Sequence, residues 1–172
     1  MDVPMIETRR LRLREWRWDD IDELARIYAQ PDVERYLEPV DRTGTEDHVA
    51  YLVAHWEHEG FGTWAVEAET SRFIGRIGLL RHVDWPGEPV EVGWTLDRSL
   101  WGRGLATEGG AASLRHGFEV LGLDRVISIT DPDNAASRRV MEKLGLTRRG
   151  QRFWRNGEHV WYAIDRARWR RG

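Results

Sequence analysis

Residues 90–121 constrain the fold more than any other part of the chain. Val90, Val92, Trp94 and Leu96 alternate with Glu91, Gly93 and Thr95, the period of a strand whose two faces differ. Residues 101–106 then form a glycine-bearing loop, and Ala111, Leu114, Phe118 and Leu121 mark a helix stopped by Gly122. A short apolar strand over 126–130 follows, and because a helix joins the two strands they are expected to be parallel. A strand–loop–helix passage also gathers unpaired backbone N–H groups and the positive end of a helix dipole at one point, which suits a phosphate.

The rest of the chain reads as alternating strands and helices. Leu11 and Leu13 alternate with Arg10, Arg12 and Arg14, a strand with one solvated face. Ile21, Leu24, Ile27 and Tyr28 give a helix that opens on acids at Asp19 and ends at Pro31. A loop through Glu38-Pro39 leads to a second helix bearing Thr45, Val49, Leu52, Val53 and Trp56 and running to Gly60. Trp64, Val66 and Ala68, a polar turn at Thr70-Ser71, and the apolar run 73–80 make a meander, with a loop over 84–89. Asp131 to Asn134 breaks the strand before a helix with Val140, Met141 and Leu144 that closes at Gly145. Residues 148–154 and 159–165 form a hairpin across Asn156-Gly157, and 166–171 read as a solvated arginine-rich tail. The order βααβββαβαββ predicts an α/β (α+β) fold: one domain over 1–172 built on a mixed, mostly antiparallel twisted sheet with one parallel pair.

Composition excludes several functions. The formal charge is 26 − 29 = −3, which argues against general binding of nucleic acid or anionic membrane. No cysteine is present, so thiolate metal sites and sulfur nucleophiles are out. The absence of an apolar run of about 18 residues, and of an apolar centre in the first ten, predicts a cytoplasmic location. A P-loop needs Gly-Lys, but Lys143 is the only lysine. A dinucleotide fingerprint needs glycine where Thr107 stands and an acid ending the next strand, whereas Asp124 precedes that strand.

The segment from Gly102 through Arg103, Gly104, Leu105, Ala106 and Thr107 to Glu108, preceded by Trp101 and by Glu91-Val-Gly-Trp94, resembles the acetyl-CoA loop of the GNAT N-acetyltransferase superfamily. It is similar in particular to the Rim-type branch of ribosomal-protein N-terminal acetyltransferases. Residues 7–14 resemble that branch's first strand, and Asn134-Ala-Ala-Ser137 through Glu142-Lys-Leu-Gly145 its helix after the second strand of the parallel pair. These segments span nearly the whole chain in the family's order.

The resemblance implies acetyl-CoA as cosubstrate and direct transfer of acetyl to an amine. It implies that backbone N–H groups of Gly102, Arg103, Gly104 and Ala106, within a loop completed by Leu105 and Thr107, bind the pyrophosphate. Pantetheine would pair with Trp94, Thr95 and Leu96 where the parallel strands splay, with the Trp94 N–H facing the thioester oxygen. Asn134 would hold the pantetheine arm, although it also suits a helix N-cap. Arg103 and Arg139 are favoured over Arg98 and Arg138 for the coenzyme phosphates. Many members carry a tyrosine acid where this chain has Met141, so Ser137, which matches a serine of the ribosomal branch, takes that role; the competing reading is a helix hydroxyl bonded to backbone. Glu91 is either the base or a solvated strand-face carboxylate. The favoured acceptor is a protein N-terminal α-amine, about a tenth neutral at pH 7, over a lysine neutral in about one molecule in a few thousand. A small-molecule amine or antibiotic is the alternative, and a non-catalytic acyl-CoA-binding module a third reading.

Other features carry less. The acids Asp19, Asp20, Asp22 and Glu23 either attract a cationic acceptor or complement the helix dipole. His48, His55 and His58 with Glu59 lack a further ligand and read as a solvated helix face, so no metal is expected. Trp16, Trp64, Trp85, Trp94 and Trp101 are read as core or as walls of the substrate sites. A monomer or a homodimer is expected.

Overall fold

The computed structural model describes residues 3–37, 40–68, 72–87 and 89–169. Strands β1 (Ile6–Glu7) and β2 (Leu11–Arg14) precede helices α1 (Asp20–Tyr28), α2 (Pro31–Glu34) and α3 (Arg42–Glu59). Strands β3 (Thr63–Ala68), β4 (Arg72–Arg81) and β5 (Val90–Leu96) form the meander, and α4 (Leu105–Arg115), prolonged by a π turn over His116–Val120, crosses over to β6 (Arg125–Thr130). Helix α5 (Ala135–Lys143), the hairpin β7 (Thr147–Trp154) and β8 (Gly157–Asp165), and a last turn α6 (Arg166–Trp169) follow. The described strands make one sheet in the order β1-β2-β3-β4-β5-β6-β8-β7, antiparallel except for the β5–β6 pair. The expected parallel crossover is therefore present, and so is the expected order, with β1, α2 and α6 added.

Several expectations are corrected. The first strand is two, hinged where the Thr8 N–H donates to the Leu11 carbonyl at 2.8 Å. Pro31 opens a short helix instead of only ending one, since its fixed φ and missing N–H suit a first helical position. Helix α4 begins at Leu105, inside the expected loop. The β7–β8 turn is Arg155-Asn156, with Arg155 at φ 55° and Gly157 already paired with Trp154. That register buries Val160, Tyr162 and Ile164, and burial along a strand outweighs the local preference of Asn-Gly for the turn. The chain end is docked through residue 169: Arg166 Nε donates to the Leu123 carbonyl at 2.7 Å and Trp169 packs on Phe118. Arg14 is buried, its guanidinium donating to both Asp20 oxygens and to Glu67, each at 2.7 Å, so Asp20 serves this network and not an acceptor. The expectations for Glu38-Pro39, Thr70-Ser71, Glu88 and residues 170–171 lie outside the described residues.

Both faces of the sheet are packed. Val66, Ile77, Leu79 and Val92 meet Leu105, Leu114, Phe118 and Met141 on the α4–α5 side. Ala65 and Phe73 meet Ile21, Leu24, Ile27 and Tyr28 on the α1–α3 side. Beyond β5, that second face continues as a small cluster of Trp85, Ile127 and Ala163 with Trp154 and Trp161. Gly75 is required at the β4–β5 junction: its φ is +135°, and a Cβ there would lie 2.1 Å from the Thr95 carbonyl oxygen.

Candidate active site

The cleft opens where β5 and β6 part. Glu91 and Ile127 are the one registered pair between these strands among the described residues. A parallel ladder would next join the Ile129 N–H to the Val92 carbonyl. Side chains take both groups instead: Glu91 Oε1 accepts from the Ile129 N–H at 3.0 Å, and Ser128 Oγ donates to the Val92 carbonyl at 2.8 Å. Glu91 is thus a wedge that ends the ladder, and at 16% side-chain exposure it is not the solvated carboxylate of one reading.

Successive residues of a strand direct their backbone polar groups to opposite edges. The Val92 carbonyl faces β6 and the Thr95 carbonyl faces β4, so the Trp94 N–H points into the cleft and the Thr95 backbone does not. Thr95 is therefore corrected as a backbone partner for pantetheine. The Leu96 carbonyl faces the cleft side and accepts from the Trp101 indole at 2.9 Å, which fixes the start of the loop.

The loop ends in two left-handed glycines, Gly102 at φ 76° and Gly104 at φ 77°. Gly104 caps α4, and the Glu108 N–H is the first of that helix to find its acceptor, Gly104 O at 3.0 Å. The backbone N–H groups of residues 102–107 meet no acceptor among the described residues. Six consecutive open donors at a helix N-terminus form a cradle for an anion. Arg10, which sequence reasoning passed over, braces it: Nη1 donates to the Arg103 carbonyl at 2.8 Å and Nε to Glu108 at 2.7 Å. Burial works against the Glu108 carboxylate, yet bonds from Thr8 and Arg10 hold its pKa below the ordinary range. Arg103 and Arg139 are exposed and carry no partner among the described residues, whereas Arg98 pairs with Asp32 and Arg138 with Tyr162 and the Pro132 carbonyl.

Across the cleft, Asn134 caps α5, its Oδ1 accepting from the Ser137 N–H at 3.0 Å. The cap reading holds, and the Asn134 amide nitrogen is still open. Ser137 Oγ accepts from the Trp94 indole N–H at 3.1 Å, so the hydroxyl bridges the two walls of the cleft and its own proton is free to be donated. Met141 is 1% exposed, inside the core, and cannot substitute for the tyrosine it replaces.

Register places a second group of residues on the opposite face. Leu80 lies across from Glu91, Gly78 from Gly93 and Arg76 from Thr95, and opposed residues share a face, here the α1–α3 face. His82 Nε2 donates to Glu91 Oε2 at 2.5 Å and is itself buried. Nothing local in the sequence signals this pair, because it depends on how the 84–89 loop returns the chain. Of the α3 histidines, His58 is solvated as expected, but the other two are not: His48 stacks on Tyr28, and His55 donates to the Phe61 carbonyl and accepts from the Arg81 N–H. Trp64 is fully buried and walls no site, whereas Trp94 and Trp101 line the cleft through the bonds above.

A splayed parallel pair ending in an open anion cradle is a geometry that can hold a phosphate-bearing donor and receive its far end between two strands. A family model for the acetyltransferase (GNAT) domain matches residues 10–147. The chain belongs to the GNAT N-acetyltransferase family and is an acetyltransferase. It is 26% identical over 174 residues to the uncharacterized N-acetyltransferase YnaD of Bacillus subtilis, covering 95% of this chain and 98% of that one. It is 33% identical over 157 residues to an FsC-acetyl coenzyme A-N(2)-transacetylase of Aspergillus fumigatus, covering 84% of this chain and 65% of that one. The crystal structure of an acetyltransferase from Agrobacterium tumefaciens superposes with a TM-score of 0.85 at 28% identity, covering 95% of both chains. GNAT acetyltransferases use acetyl-CoA, and the open donors at 102–107 fit its pyrophosphate. No helix among the described residues is long and apolar enough to cross a membrane.

Proposed function

We propose that this protein transfers acetyl from acetyl-CoA directly to an α-amine, in the manner of the ribosomal-protein branch it resembles, with a peptide N-terminus preferred to a small-molecule amine. The observation that carries the reading is the unbroken run of open backbone donors at 102–107, which leads into the open Trp94 edge of β5. Acetyl-CoA supplies the activated acyl group and its thiol leaving group. The N–H groups of Gly102, Arg103, Gly104, Leu105, Ala106 and Thr107 bind the pyrophosphate, and Arg103 and Arg139 reach its outer oxygens. The Asn134 amide holds the pantetheine arm.

The Trp94 N–H donates to the acyl oxygen as negative charge builds there. Ser137, oriented by the Trp94 indole, gives its proton to the departing sulfur. Glu91 receives the amine proton, with His82 bonded behind it. An α-amine, about a tenth neutral at pH 7, asks less of this base than a lysine does. The test is thermal denaturation with acetyl-CoA, then thiol release with peptide and small-molecule amines. Stabilisation by acetyl-CoA and faster release with peptides are expected. Absence of any shift removes the donor assignment, and a clear preference for small amines removes the peptide acceptor.

A further inference from the structure

The face of the sheet that carries Glu91 holds a cation with no carboxylate of its own. Arg76 sits on β4 directly across from Thr95. Its Nε donates to the Tyr28 hydroxyl at 2.6 Å, and its Nη groups have no partner among the described residues. Other half-buried arginines are satisfied differently: Arg10 meets Glu108, Arg81 meets Glu59, Arg166 meets Asp124, and Arg138 meets a phenol and a carbonyl. A half-buried guanidinium without a counter-charge is costly unless something supplies one.

Asp97, two residues beyond Thr95, is already bonded by Arg26, Arg72, Gln30 and Ser99, and neither Tyr28 nor His48 supplies a charge. Burial pushes the Tyr28 phenol above its usual range, so it stays neutral. His48, stacked on Tyr28, is held down to about 3 by burial and by Arg76, so it is neutral as well. The Thr95 hydroxyl, on the same face, also lacks a partner among the described residues. Between this pair and Glu91 the floor is Gly93, where a Cβ would meet nothing closer than Glu91 Cδ at 3.9 Å. This face of the β4–β5 pair therefore presents the Glu91 carboxylate at one end, a bare floor at Gly93, and the Arg76 guanidinium with the Thr95 hydroxyl at the other. The two ends are about 13 Å apart along the backbone, and the arginine side chain shortens that gap.

We infer that Arg76 and Thr95 form the receptor for an anionic group, a carboxylate, carried by the acceptor amine, whose nitrogen lies toward Glu91. The inference rests on the reading of β5 as the strand that presents the acyl group, and it names the acceptor class: an amine that also bears a carboxylate. That carboxylate belongs either to a free amino acid or to an acidic residue near a peptide N-terminus. Tyr28 is a positioning residue, holding the guanidinium through Nε and leaving both Nη groups available to a ligand. Arginine suits the task because its fork binds both oxygens of a carboxylate.

The experiment measures thiol release from acetyl-CoA in two arms. One compares the L-amino acids with their carboxamides. The other compares C-terminally amidated tetrapeptides carrying Asp or Glu at positions two and three with their Asn and Gln counterparts. In one arm the anionic form is expected to win by about tenfold or more in kcat/KM, expressed mainly in KM, as befits a hydrogen bond to a charged group. Arg76→Gln should bring that ratio close to one, Arg76→Lys should keep part of it, and Tyr28→Phe should reduce it. Circular dichroism melts of each variant separate these effects from misfolding. A ratio near one in both arms of the parent protein, or a ratio that survives Arg76→Gln, overturns the inference. Acetyl-CoA binding with no transfer to any member of either arm also overturns it while the donor site stands; failure to bind acetyl-CoA removes the functional reading beneath it.

Discussion

Gly104→Asp tests the anion cradle most directly. The φ of 77° at this position costs a residue with a Cβ about 1 kcal/mol, and Asp and Asn tolerate it better than most. Space is not the obstacle, because a Cβ there meets only Arg10 Nη2, at 3.6 Å. The new carboxylate lands beside Arg10 and amid the six open N–H groups. At about 5 Å from a phosphate charge and an effective dielectric of about 20, the repulsion is about 3 kcal/mol. Pairing with Arg10 offsets part of that and also draws the guanidinium away from the Arg103 carbonyl it braces. The net cost is then about 2–3 kcal/mol, or about 30- to 160-fold in affinity for coenzyme A. Gly104→Asn has the same shape and backbone strain without the charge, and should lose less than about tenfold. Isothermal titration of both variants with coenzyme A at low and high salt reads the difference, which should narrow as salt screens it. Equal losses in the two variants, or an Asp variant within about threefold of the parent, would refute the placement of the pyrophosphate at this loop.

Three further outcomes are expected. Arg14→Met removes the shared partner of Asp20 and Glu67, each 4% exposed, and should cost about 3–5 kcal/mol, or roughly 6–20 °C in Tm; a loss under about 1 kcal/mol would mean the carboxylates find other solvation. Ser137→Ala should lower kcat by about 100-fold or more with coenzyme A affinity nearly unchanged, and an unaltered kcat would leave the hydroxyl only its bond to the Trp94 indole. His48 is held neutral down to about pH 3, so below its unfolded value near 6.5 the unfolded chain binds a proton that the folded one does not. Its contribution to stability is therefore full above about pH 6.5 and is lost as pH falls from there toward 3. Urea titrations of the parent and of His48→Gln across that window should diverge, with the variant losing less on acidification, and parallel curves would contradict the burial argument.

Much of the proposed donor side was legible in the sequence because it is local. The strand at 90–96, the glycines of the loop, the helix behind them and the Asn134–Ser137 turn are encoded in spacings of two to four residues, and backbone geometry follows from such spacings directly. Even there, only the observed register showed that Trp94 faces the cleft and Thr95 does not, because a strand has two edges and the pattern of side chains does not say which edge gets a partner.

The acceptor side was hidden for a different reason. Glu91 was singled out, but its bonds to His82 and to the Ile129 N–H span loops and strand pairings whose register no local pattern reveals. The same holds for Arg10 beneath the glycine loop, Arg14 turned inward, and Arg76 left without a carboxylate beside Thr95. Taken alone, the sequence determined the order of the main elements, short of β1, α2 and α6, together with the parallel crossover and an anion cradle made of backbone, since these depend on φ, ψ and the alternation of neighbours. Only the tertiary structure decided which charges are neutralised and which stay open in the groove, since a charge is paired by whatever packing brings within about 4 Å, however distant in the chain.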